Sequence, residues 1–153
     1  MTDDVATLAA ELTAARADFL EALEAVDQTS PTLVGDWSAR ELVAHLGYWA
    51  GHAAEVIHAV ETGRAAEVGI GDASVDDTNE TVARVARQAD LATVRKREAA
   101  SVQALLERLA TIDPALLAVP LPDGATLAQG IREDGSEHYR EHTGDLRAAI
   151  PAP

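Results

Sequence analysis

Near the N-terminus the apolar residues Val5, Leu8, Leu12, Ala15, Phe19, Leu23 and Val26 follow one another in steps of three and four. Such steps keep the side chains on one face of a helix, whereas a strand would need a period of two. They predict a helix over residues 2–26 with a continuous stripe to bury against other helices. The rhythm returns at Leu42, Leu46, Trp49, Ala53, Val56 and Val60. A third set, Leu91, Val94, Val102, Leu105, Leu106 and Leu109, supplies further core candidates. Aromatic residues are only 3% of the 153-residue chain, so Leu, Val, Ile and Ala must build the core, and that stock favours helices over sheets. The expected fold class is all-α, one domain over residues 1–153 with about four main helices.

The boundaries follow from capping chemistry. Ser38-Ala39-Arg40-Glu41 fits a capping box and opens a second helix, which Gly63 ends. A third helical region is expected over residues 76–110, with Asp90 able to cap a fresh start within it. The charged run Arg95-Lys96-Arg97-Glu98 is expected on a solvated face. Asp113-Pro114 can open a short turn. Thr126-Leu127-Ala128-Gln129 repeats the capping box, and the last helix is expected to run to about residue 150, before Pro151. Gly130 and Gly135 inside it each cost roughly 1 kcal/mol relative to Ala, so packing or a ligand has to hold it.

Charge and composition narrow the function. Twelve Lys and Arg against 26 Asp and Glu give a formal charge of −14. That field repels phosphate backbones and anionic lipid surfaces, so no nucleic-acid or membrane partner is expected. Cysteine is absent, which excludes disulfides, thiolate nucleophiles and Cys-type zinc sites. Met1-Thr2-Asp3-Asp4 carries neither a basic nor an apolar leader segment, and no apolar run reaches the ~20 residues of a membrane span, so the expected location is cytoplasmic.

The chemistry concentrates on five histidines. His138 and His142 are four apart on the last helix, about 40° and ~6 Å from one another, so both imidazoles can lean toward one ion. A third ligand has to come from elsewhere, and the second helix carries His45, His52 and His58. His45 lies at the edge of the apolar stripe and points toward the interior. His52 lies on nearly the same face about 10 Å further along, better placed as a pocket wall or an exposed residue than as a ligand to the same ion. His58 falls on the opposite side, at the surface. Asp145, three residues after His142, can orient an imidazole. Trp37 and Trp49 read as packing residues, with Trp49 also a candidate pocket wall. Tyr139 and Arg140 are expected at the surface, Arg140 being a candidate to hold a substrate carboxylate. His138-Tyr139-Arg140-Glu141-His142 also matches the inverted zinc-protease signature, with Glu141 as base. Glu141 points about 100° away from His142 and 11 residues follow that histidine, so this reading is not expected to apply.

Two segments carry a family resemblance. Trp37-Ser38 followed by His45-Leu46, and His138-x-x-x-His142-x-x-Asp145-Leu146, resemble the two signatures of the DinB-like superfamily, which includes the N-terminal domain of mycothiol-dependent maleylpyruvate isomerases. The resemblance covers nearly the whole chain. It implies a four-helix bundle of up-down-down-up type with a long connection. It also implies a divalent ion, zinc or nickel first, held by His45, His138 and His142, with one position left open. The activity implied is a thiol-dependent (mycothiol- or bacillithiol-type) transferase or isomerase, or a metal-dependent hydrolase, acting on a small molecule as a homodimer. A low-molecular-weight thiol would then bring the sulfur that this chain lacks. The alternative is a metal-dependent protein that binds or sequesters a small molecule without turnover.

Overall fold

The computed structural model describes residues 3–150, and among them the regular structure is helical apart from two isolated β-bridges, Val34 with Trp37 and Pro120 with Thr126. The helices are α1 (Val5–Glu24), α2 (Ala39–Glu61), α3 (Val75–Ala86), α4 (Leu91–Thr111), α5 (Leu127–Asp134) and α6 (Ser136–Ala149), with short 3₁₀ turns at Ala65–Glu67 and Pro114–Ala118. The expected start at Thr2 and stop at Pro151 lie outside the described residues. Asp4 caps α1, its carboxylate accepting from the Thr7 N–H at 2.7 Å. Asp90 likewise caps α4 through the Thr93 N–H at 2.7 Å, so the third helical region is two helices. Both expected capping boxes form. The Glu41 carboxylate accepts from the Ser38 N–H at 3.0 Å, and the Gln129 side chain accepts from the Thr126 N–H at 2.8 Å.

The last helix departs from expectation. It is broken at Gly135, which ends α5 and caps α6. A Cβ at this position would stand 2.7 Å from the Ile131 carbonyl oxygen, a distance no side-chain carbon tolerates. Gly135 is therefore the break itself rather than a weak residue inside one helix, and α6 starts anew at Ser136, two residues before His138.

The core explains the arrangement of the helices. The stripe of α1 buries Leu8, Leu12, Ala15, Phe19 and Leu23 as expected, chiefly against α6. Helix α2 is the central element, packed on α4, α3 and α5. Val43, Ala50, Ala54 and Ile57 are buried in addition to its predicted stripe, because it is covered on more than one side. Each large aliphatic side chain so buried contributes about 1.5–3 kcal/mol.

Two charged or polar positions overturn the surface reading. Glu98, expected on a solvated face, is 2% exposed. It lies four residues after Val94 and four before Val102, and so on the apolar stripe of α4 rather than beside it. An unpaired carboxylate there would cost several kcal/mol. Arg16 of α1 meets it with two hydrogen bonds, Nε at 2.7 Å and Nη2 at 2.8 Å, and Tyr139 of α6 donates its hydroxyl at 2.5 Å. Tyr139, also expected at the surface, is fully buried with its ring edge-on to Phe19 at 5.6 Å. Burial first, and then the Glu98 carboxylate, push the Tyr139 hydroxyl well above its ordinary pKa, so it keeps its proton and remains a donor.

Helix α2 reaches this network through a glycine. A Cβ on Gly47 would lie 2.9 Å from the Glu98 Cα and 3.1 Å from its Cβ, so the two backbones can approach only without a side chain at position 47. Gly51, one turn on, has its nearest neighbour at 3.5 Å, an ordinary contact with the Ser101 hydroxyl oxygen. Gly47→Ala should therefore destabilise the protein by about 1–3 kcal/mol through overpacking. Gly51→Ala should be neutral or stabilise it by up to ~1 kcal/mol through helix propensity. Urea unfolding of the two variants checks this, and equal effects would contradict the close approach.

Candidate metal centre

The fold brings together histidines 93 positions apart in sequence. His45 projects from α2 and is 6% exposed, while His138 and His142 project from one face of α6. One ring nitrogen from each lies within 4.8 Å of the other two. The Nε2 atoms of His45 and His138 are 2.7 Å apart, so one imidazole donates to the other. Two nitrogens on a tetrahedral ion with bonds of 2.0–2.1 Å would stand roughly 3.3 Å apart. Taking up an ion thus requires these rings to part by well under 1 Å and to give up their shared proton. The donor set fits a borderline ion that accepts nitrogen ligands.

The surroundings prepare the rings unequally. Asp145 Oδ2 stands 2.8 Å from His142 Nδ1, which places that nitrogen's proton on the carboxylate side and leaves Nε2 with a free lone pair. His45 has no such support, since its Nδ1 is buried without a hydrogen-bond partner. Burial above all, and then the proximity of His138 and His142, push His45 down to about 3, with Asn79 acting the other way. Burial and His142 push His138 down to about 4. Both rings are therefore neutral at pH 7, the state in which an imidazole can ligate.

The three histidines open onto a cleft of about 450 Å³ walled by Trp37, Trp49 and Val75, with Asn79 of α3 and the carboxylates Glu133, Asp134 and Glu141 at its edge. Trp37 packs against His45 with ring centroids 4.9 Å apart, so it borders the site as well as packing. Trp49 is a wall of this cleft and of a second, adjoining cavity of about 570 Å³. His52 lines that second cavity and not the histidine cleft. Its Nδ1 is 2.8 Å from Asp134 Oδ2, and this partner raises its pKa against the opposing effect of burial. His58 is exposed, as expected. Arg140 is exposed and does not line the histidine cleft; two residues past His138, it is turned about 200° around α6. Glu141 lines the cleft although it is exposed. Sequence reasoning gave no role to Asn79, because nothing in the local pattern of α3 says which of its faces meets α2.

Acidification should unfold the metal-free protein through these rings. Their folded-state pKa values lie below the ordinary 6.5, so the unfolded chain takes up protons that the folded one does not. Their contribution to stability is complete above pH 6.5 and is lost as the pH falls toward 4. Proton uptake on unfolding near pH 5 should be smaller by about one in His45→Gln than in the parent, read from the slope of unfolding free energy against pH. Identical slopes would contradict the buried, neutral assignment.

The family model for the mycothiol maleylpyruvate isomerase N-terminal domain, a DinB-like family, matches residues 7–144. No curated protein and no solved structure matches the chain.

Proposed function

The chain belongs to the mycothiol maleylpyruvate isomerase N-terminal domain family, and on that premise we propose that it binds a divalent ion through His45, His138 and His142 and acts there on a small molecule. The observation that carries this reading is the convergence of the three ring nitrogens within 4.8 Å, with Asp145 holding one ring in a ligating tautomer. Zinc or nickel is the ion expected first. A divalent ion on three imidazoles keeps an open side and supplies Lewis acidity to whatever occupies it.

The chain's own residues do the rest. His45 and His138 stay neutral because they are buried, and His142 is oriented by Asp145. Trp37 and Trp49 present apolar walls that shed water from the side facing the cleft. With no cysteine in the chain, a sulfur nucleophile has to arrive on a low-molecular-weight thiol of the mycothiol or bacillithiol type. The reaction class is then transfer to, or isomerisation of, a small electrophile; metal-dependent hydrolysis is the variant in which water takes the place of the thiol. The reading extends to the architecture. The chain forms a single domain in which α1, α2, α4 and the paired α5 and α6 make an up-down-down-up bundle, with the segment around α3 as its long connection, working as a cytoplasmic homodimer.

One observation favours a second reading, binding without turnover. Asp134, a carboxylate at the cleft edge, is already engaged by His52.

Protein purified without a histidine tag should retain about one equivalent of zinc or nickel by plasma mass spectrometry. His142→Ala should abolish uptake, whereas His58→Ala should leave it intact. Absence of stoichiometric metal would contradict the proposal. Metal-loaded protein that consumes no electrophile with any of a panel of thiols would leave the binding reading in its place.

A further inference from the structure

Asn79 has a fixed orientation that the metal reading does not use. The indole N–H of Trp49 donates to Asn79 Oδ1 at 2.9 Å. An indole nitrogen can only donate, so this contact settles which end of the Asn79 amide is the oxygen. The other end is then an NH2 group with two hydrogens to give, on a residue that lines the histidine cleft. Asn79 also interacts with His45, acting against the lowering of that ring's pKa, so the amide lies beside the histidines.

The remaining polar side chains of the cleft are mostly of the opposite kind. Apart from the histidines, Glu133, Asp134 and Glu141 are acceptors, and the donors are Asn79, Trp37 and Trp49, the last of which gives its N–H to Asn79. No lysine or arginine lines the cleft among the described residues. A carboxylate placed beside the histidines would find three like charges and, apart from the ion itself, no cation. A neutral carbonyl oxygen would find a donor and no charge to oppose it.

We propose that Asn79 is a substrate-binding residue, its amide NH2 donating to a neutral carbonyl oxygen held beside the three histidines, and that Trp49 positions it for this task. The substrate class this selects is an uncharged carbonyl compound (an amide, aldehyde, ketone or neutral ester) in preference to a carboxylate. The inference rests on the metal reading above, since the metal site fixes where the reacting end of the molecule lies.

Three small thiols test it on zinc-loaded protein by titration calorimetry: 2-mercaptoacetamide, mercaptoacetate and 1-propanethiol. All three bind through a thiol sulfur, with affinities compared per thiolate because a neighbouring neutral carbonyl lowers a thiol's pKa, and only the first carries such a carbonyl. Mercaptoacetamide should bind roughly tenfold more tightly than either of the others, the worth of one good hydrogen bond. Asn79→Asp keeps the acceptor for Trp49 while replacing the NH2 group with an oxygen, and it should erase that preference with zinc uptake unchanged. Asn79→Leu should do the same, and Trp49→Phe, which frees the amide to turn over, should weaken the preference in part. A preference that survives Asn79→Asp, or mercaptoacetate binding as well as the amide, overturns the assignment while leaving the metal reading intact. Failure of zinc uptake in the parent protein overturns both.

Discussion

The carboxylate of Glu98 is the point on which this structure turns. It sits in the interior, and its charge is met by Arg16 from α1 and by the hydroxyl of Tyr139 from α6. Helix α2 comes to rest against the same residue through Gly47. Four helices thus share one buried charge. A purely apolar interface tolerates sliding and rotation with little penalty, but a carboxylate that must keep three hydrogen bonds does not. Its retention in the core is understandable as a device that fixes how the helices are phased.

That phasing is what assembles the histidines. Tyr139 is the neighbour of His138, so pinning the tyrosine inward on one side of α6 turns His138 and His142 toward α2 on another. Gly47 is two residues from His45, so the close approach of α2 to α4 sets the depth at which His45 enters the cluster. The break at Gly135 lets α6 begin anew just before its histidines, and Asp145 then fixes the tautomer of His142. Burial, in turn, keeps His45 and His138 neutral. The same packing that stabilises the helices therefore brings the three ring nitrogens together, all of them carried on helices.

Much of this was legible in the sequence, and what was not has a common cause. The stripes of α1 and α2, both capping boxes and the fresh start at Asp90 depend on neighbours within four residues, and they appear as expected. So does the shared face of His138, His142 and Asp145. The errors concern residues whose environment is set by another helix. Glu98 reads as part of a charged surface run until Arg16, 82 positions away, is known to reach it. Tyr139 reads as an exposed neighbour of an exposed arginine until Glu98 and Phe19 are in place around it. Gly135 reads as a weak helical residue because the clash of its missing Cβ with the Ile131 carbonyl is a feature of the folded backbone. Asn79 carried no signal, since its importance lies in Trp49 across the gap between α2 and α3.

The central claim is that three imidazoles from two helices form one metal-binding set. X-ray absorption at the edge of the bound metal tests it most directly, because it counts the scatterers around the ion without reference to any activity. The account predicts three imidazole rings with nitrogens at about 2.0–2.1 Å for zinc, one of which disappears in His45→Ala. A shell of oxygen atoms with no imidazole scattering, or a spectrum unchanged by His45→Ala, would contradict it.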